Sequence, residues 1–239
     1  NRRRGYSALY KLARVAVMKA HHASSFLGLP NATIILASAS VARQKVLQSA
    51  GIDFESLPAA IDEAPVRAGA VADDMMPEDI AVLLAFLKAQ AVSQLLASAP
   101  SPSSTVYVIG ADQILVCDGQ IINKPVTIGE AKDQLIWLSG KLHNLFSAIV
   151  LLRDGQRIWH YTAKSALSMH QFDAVFADSY IQHVGDAALL SPGAYQIESV
   201  GTSLFSKIDG DYFDILGLPL LPLLGILREH GLSPVGRFA

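Results

Sequence analysis

The chain has 239 residues, 51% hydrophobic and 17% charged, long enough to bury one large core or two smaller ones. Its single cysteine, Cys117, excludes a disulfide within the chain and any zinc site built from several cysteines. The formal net charge of −2 hides an asymmetry, because residues 1–31 hold six Lys and Arg and no acid, while the remainder carries 13 basic against 21 acidic residues. So acidic a body argues against nonspecific nucleic-acid binding, which rests on neutralising many phosphates. A phosphate group bound here calls for a few placed cations and a divalent metal.

Residues 1–31 read as a basic N-terminal extension ahead of a domain over 32–232. Their composition fits a transit peptide, or sequence upstream of a start at Met18, and we read them as a dispensable extension. No apolar run reads as a membrane span.

In chain order, "TIILA" (33–37) is a strand that hands over to a helix after Ser40. Ser38, Ser40, Arg43 and Lys45 therefore lie where a helix start offers unpaired N–H groups and partial positive charge to an anion. An ordinary Ser40 N-cap with Arg43 on a solvated face is the plainer alternative. "DFESL" (53–57) reads as the next strand, and an acidic, Pro-containing loop follows, carrying Asp62, Glu63, Asp73 and Asp74. Apolar spacing of i, i+3 and i+4 behind Pro77 predicts a helix running to a loop at "PSPSS" (100–104). "TVYVIGADQILVCDGQIIN" (105–123) predicts a strand pair turning at Asp118-Gly119. A helix stopped by Gly140 follows, then a long hairpin over 143–172 turning at Asp154-Gly155, a helix near 173–185, a strand around "SLFSKIDG" (203–210) and a last helix over 217–230. Hairpins mixed with helical crossovers predict an α/β protein whose sheet has both parallel and antiparallel pairs.

Several patterns fail. "LSGK" at 138–141 lacks the other positions of a phosphate loop, and neither HExxH nor G-x-S-x-G occurs. "DGDYFD" (209–214) lacks the spacing and closing Glu of a calcium loop and reads as a turn. The more informative stretch is "VIGADQILVCDGQIINKP", where a buried strand delivers Asp112. A carboxylate there is costly unless it is paired, metal-bound or catalytic. Lys124 follows with Pro125, so Asp and Lys together either hold a metal and a polyphosphate or form a structural pair.

Seven short stretches in this order resemble the Maf-type nucleoside triphosphate pyrophosphatases: "LASAS…R", "IDE" (61–63), "LLAFLKAQAV", "GADQ…NKP", "LSGKLH", "GAYQIES" and "IDGDYFDILGLPL". The resemblance runs from Ile34 to about His230. It implies a Maf/ITPase-like fold, with a mixed sheet in two lobes and a central cleft. The implied reaction is hydrolysis of a nucleoside triphosphate to monophosphate and pyrophosphate with Mg²⁺ or Mn²⁺. On this resemblance Asp112 is the general base, and Ser38, Ser40 and Arg43 form the anion pocket. Lys88 and Lys124 hold the phosphates, and Glu63 lines the site with Asp112 as metal ligand. Where the family reads Ser-Pro-Arg-Arg, this chain has Val41 and Ala42 before Arg43. Positions Ala42, Gln113 and Glu198 are those the family uses in choosing the base, and Gln with Glu resembles the branch acting on 7-methyl-GTP. That branch carries Trp where this chain has Ala42. The resemblance therefore implies a cytoplasmic house-cleaning enzyme, with no nucleic-acid or membrane partner. Many such enzymes pair as homodimers, although the sequence marks no interface. A dTTP/UTP pyrophosphatase, a non-catalytic nucleotide-binding regulator of cell division and a phosphatase releasing orthophosphate are the alternatives.

Overall fold

The computed structural model describes residues 32–98 and 104–232, so the basic extension lies outside the described residues. In chain order the elements are β1 (Ala32–Leu36), α1 (Val41–Ser49), β2 (Glu55–Ser56), α2 (Glu63–Ala72), α3 (Pro77–Ala97), β3 (Thr105–Cys117), β4 (Gln120–Ile122), α4 (Ile128–Leu138), β5 (Leu142–Arg153), β6 (Gln156–Met169), α5 (Ala174–Val184), β7 (Phe205–Asp209), α6 (Tyr212–Ile215) and α7 (Leu220–Glu229). The strands hydrogen-bond in the order β2-β1-β3-β5-β6-β7, with β4 on β3. This is the mixed α/β architecture that the order of hairpins and crossovers predicts. By contacts the chain forms two compact units. Among the described residues, the first takes those up to Asp112, Ala148–Thr162 and those from Gly217; the second takes Gln113–Ser147 and Ala163–Leu216.

In the first unit β1 is a parallel strand between β2 and β3, with Ile35 opposite Glu55 on one side and Val108 on the other. Its residues 33–36 are buried, as a near-continuous apolar run in a parallel strand requires. The ladder reaches one residue further, where the Ala37 N–H donates to the Ile109 carbonyl at 2.8 Å. Helix α3 opens on Pro77 with Glu78 and Asp79 in its first turn, matching the fixed φ of Pro and the helix dipole. By length and composition α3 is the one helix among the described residues apolar enough to cross a membrane. Seven of its residues, from Ile80 to Leu96, are buried, and Lys88 at its middle is ion-paired, so it is a core helix. It lies against β3 at Gly110, where an added Cβ would stand 2.0 Å from the Ala85 carbonyl oxygen and 2.9 Å from Ala89 Cβ. Only glycine permits that approach.

Three segments depart from the sequence reading. The acidic stretch after "DFESL" is not all loop, since Glu63–Ala72 forms α2. Pro65 sits in its first turn, where no intrahelical N–H is needed, so a residue that looked like a breaker is compatible with the helix. "DGDYFD" contains the one-turn helix α6, capped by the Asp211 side chain, and the last helix begins at Leu220, behind Gly217 and Pro219. "DFESL" contributes only the two residues of β2.

The second unit has its own core, with Leu115, Leu135, Leu138, Leu167, Tyr180 and Tyr195 in one apolar cluster. Both two-residue hairpin turns fall where Asp-Gly predicts them, with Asp118 and Asp154 at positive φ. The start of helix α4 is tied by two side chains: Thr127 Oγ1 accepts the Glu130 N–H, and the Glu130 carboxylate accepts the N–H of Val126, just ahead of the cap, at 2.8 Å.

His143 is fully buried in this core, its Nε2 2.8 Å from Tyr195 Oη and its Nδ1 without a hydrogen-bond partner. Burial lowers its pKa from the ordinary histidine value to about 4. The unfolded chain therefore takes up a proton near pH 6.5 that the folded chain refuses until about pH 4, so stability falls as pH falls through that window. Asp214 acts in the opposite sense: burial, then Asp211, raises it to about 6, and the stability its proton contributes is lost as pH rises through that value. Comparing denaturation midpoints of wild type and His143→Gln isolates the histidine. The wild type is expected to lose about 2–3 kcal/mol more than the variant between pH 7 and pH 4.5. A constant difference across that range would show that His143 does not resist protonation.

Candidate active site

The loop after β1 is tied down by its own side chains. Ser38 Oγ accepts the Ser40 N–H at 3.2 Å, and the Ser38 carbonyl accepts from Ser56 Oγ at 2.8 Å. Ser40 is the N-cap of α1, its hydroxyl oxygen accepting the Arg43 N–H, so the plainer reading of that serine holds. Among the described residues the N–H groups of Val41 and Ala42 have no acceptor, which leaves two donors and the positive end of the helix dipole at this loop. Arg43 does not lie on a solvated face. Its Nε donates to the Gly217 carbonyl at 2.8 Å, and its Nη1 to the Ala111 carbonyl at 3.0 Å and to Ser38 Oγ at 3.2 Å. Burial lowers the Arg43 pKa, opposed by the nearby charges of Asp112 and Glu63.

Beside this loop runs a chain of alternating charges. Lys88 Nζ, on α3, lies 2.5 Å from Asp112 Oδ1 and 2.8 Å from Glu63 Oε1, and Arg67 Nη2 is 3.4 Å from Glu63 Oε2. Asp112 and Lys88 are nearly excluded from water, so removing Lys88 would leave the buried Asp112 carboxylate without its cation, at about 3–5 kcal/mol, whereas Lys88 without Asp112 keeps Glu63 as its partner. The lysine that pairs with Asp112 is thus Lys88, 24 residues before it, and not a neighbour along β3. Arg67 escaped the sequence reading because its segment was taken as loop; Glu63 and Arg67 stand at i and i+4, a pairing that only a helix makes adjacent.

Asp112 Oδ2 is buried and has no hydrogen-bond partner. An ionised oxygen in that state is costly until a cation, a water or a proton reaches it. No group of three or more His, Cys, Asp and Glu able to hold a metal occurs among the described residues. Two carboxylates, Asp112 and Glu63, nonetheless fit Mg²⁺ or Mn²⁺, which bind through one or two carboxylates and complete their shell with water and substrate phosphates.

The remaining expected residues are placed as follows. Ala42 is the second residue of α1 and partly buried. Gln113 follows Asp112 on β3 and belongs to the second unit; its Nε2 donates to Ser147 Oγ at 2.8 Å and to the carbonyls of Asp214 and Ile215. Lys124 is exposed two residues past β4. Glu198 is exposed in a turn closed by the Ser199 N–H on the Gln196 carbonyl at 3.2 Å.

The family model for Maf-like proteins matches residues 33–230. A nucleoside triphosphate pyrophosphatase of Caulobacter vibrioides is 45% identical over 198 residues, which are 83% of this chain and 96% of that protein. A 7-methyl-GTP pyrophosphatase of Brucella abortus is 46% identical over 197 residues, 82% of this chain and 96% of that one. Another protein of that name, from Rhizobium etli, is 44% identical over 198 residues, with 83% and 96% covered.

The contact at Gly110 holds α3, and with it Lys88, against the strand that carries Asp112. Gly110→Ala is expected to push the helix outward, lower stability by about 1–3 kcal/mol and loosen the Lys88–Asp112 pair. Urea denaturation reads the first effect and a crystal structure the second; an unaltered midpoint would mean the helix has slack to move.

Proposed function

The chain belongs to the Maf family and is a nucleoside triphosphate pyrophosphatase, and on that premise we propose that its preferred substrate is 7-methyl-GTP and that Asp112 is its general base. The observation that carries the catalytic assignment is the state of Asp112, with one oxygen held by Lys88 and the other buried without a partner. A carboxylate so oriented accepts a proton at one known atom. In the reaction, water attacks the α-phosphorus, its proton passes to Asp112 Oδ2, and the bond from the α-phosphorus to the bridging oxygen breaks. The electron pair leaves with pyrophosphate, and the nucleoside monophosphate remains. Such a displacement needs charge neutralisation and in-line placement more than covalent chemistry.

Ser38, Ser40 and the two open N–H groups of Val41 and Ala42 suit phosphate oxygens, and Arg43, Lys88 and Lys124 add positive charge. Lys88 also holds Asp112 in place through Oδ1. A divalent cation, held by Glu63 and Asp112 when bound, supplies further neutralisation of the triphosphate.

Glu198 supports the choice of base. A carboxylate only accepts hydrogen bonds, and guanine offers two donors along one edge, its N1–H and its amino group. Uracil and thymine offer acceptor, donor, acceptor, which a carboxylate repels. Methylation at N7 gives guanine a delocalised positive charge, which attracts Glu198 further. The relatives from Brucella abortus and Rhizobium etli carry the corresponding name. With Ala42 the chain lacks an aromatic ring at that position, so a stacking contribution of about 0.5–2 kcal/mol is missing and the preference is expected to be looser than in members with Trp.

Two measurements test this reading. Asp112→Asn should keep the fold and lose on the order of 10²-fold or more in pyrophosphate release, because an amide cannot take the proton; activity within a few-fold of wild type would remove Asp112 from the role of base. With Mg²⁺ or Mn²⁺ present, kcat/KM should rank 7-methyl-GTP above GTP, dTTP and UTP, and Glu198→Gln should move the ratio toward the pyrimidines. An advantage for dTTP or UTP in the wild type overturns the substrate assignment.

A further inference from the structure

Arg43 has directed hydrogen bonds to three separated segments: the loop after β1 at Ser38, the turn before α7 at Gly217, and the middle of β3 at Ala111. The Ala111 carbonyl belongs to the peptide unit whose nitrogen is that of Asp112, so a guanidinium fixed on it sets the plane from which the Asp112 side chain departs. Gly217 is the seat of this arrangement. Its φ is +84°, a conformation that favours glycine, and a Cβ there would stand 3.2 Å from both Arg43 Nε and Nη2. Charge-assisted bonds from a rigid planar fork hold their acceptors in fixed directions, which the single point charge of a lysine does not reproduce.

We propose that Arg43 is a positioning residue, which orients Asp112 for proton abstraction through the Ala111 carbonyl, with Gly217 making room for the guanidinium. This rests on the reading of Asp112 as general base. Arg43 still contributes charge near the phosphates, but its larger effect falls on the chemical step. A displacement of about 1 Å at a reacting group costs on the order of 10²-fold in rate.

Three measurements test the proposal. Arg43→Lys should lower kcat on the order of 10²-fold, with KM within about threefold of wild type. A KM rise of tenfold or more with kcat unchanged would make Arg43 a substrate ligand and overturn the proposal. Gly217→Ala, which touches Arg43 from its far side, should also lower kcat, and the double variant should lose less than the product of the two single losses; independent, multiplicative losses would overturn it. In the wild type, NMR should detect a coupling across the hydrogen bond between an Arg43 side-chain nitrogen and the Ala111 carbonyl carbon. In Arg43→Lys that carbonyl resonance should shift. Absence of the coupling overturns the proposal even if neither variant folds, and its presence in a protein that releases no pyrophosphate would separate a failed reaction assignment from a failed clamp.

Discussion

A carboxylate buried within a strand must have a cation, and here the cation comes from the middle of a helix that can approach only because residue 110 is glycine. Much of the first unit follows from that constraint. Helix α3 has to be apolar enough to lie in the core yet carry Lys88 inside it, and β3 has to be narrow at Gly110, two residues before Asp112. Glu63 then balances Lys88, and Arg67 balances Glu63, so two cations and two carboxylates make the group electrically neutral. Arg43, whose charge also acts on Asp112 and Glu63, stands beside that group as a third cation.

The division of labour around Asp112 separates its two oxygens. Oδ1 is fixed by Lys88, whereas Oδ2 has no partner in a place where being without one is unfavourable. The proposed role of Asp112 as general base rests on that asymmetry. Gln113, the next residue, is occupied differently, its amide nitrogen donating to a serine and two backbone carbonyls. Neighbouring polar residues on one strand thus serve different ends, one held open and one tied.

Sequence patterns revealed most of the architecture because the strong local signals agree with the fold: the period of α3 behind Pro77, the Asp-Gly turns at 118–119 and 154–155, the Ser40 cap. The stretch around Glu63 was opaque because acidic residues, proline and glycine obscure a helix whose proline sits harmlessly in the first turn. The resemblance carried in the quoted motifs singled out Asp112, Lys88, Glu63 and Arg43 individually. What they do to one another was not legible. Lys88 and Asp112 meet through packing of a helix on a strand, and the direction of the Arg43 guanidinium is decided by carbonyls 68 and 174 residues further along the chain. Spacing along a sequence contains no trace of such pairs.

That last separation has a consequence for how the molecule comes into being. Arg43 meets Gly217 only after nearly the whole domain has been made, and the parallel pairing of β1 with β3 closes a loop of some seventy residues. Long closures of this kind slow folding and put off the completion of the structures that depend on them. During synthesis, the loop after β1, Glu63 and the strand bearing Asp112 all leave the ribosome before the turn at Gly217 to which Arg43 bonds. A nascent or truncated chain therefore holds nearly every reactive group and lacks the connection that aligns them. On the proposed role of Arg43, the alignment of Asp112 waits until the residues around Gly217 have been made.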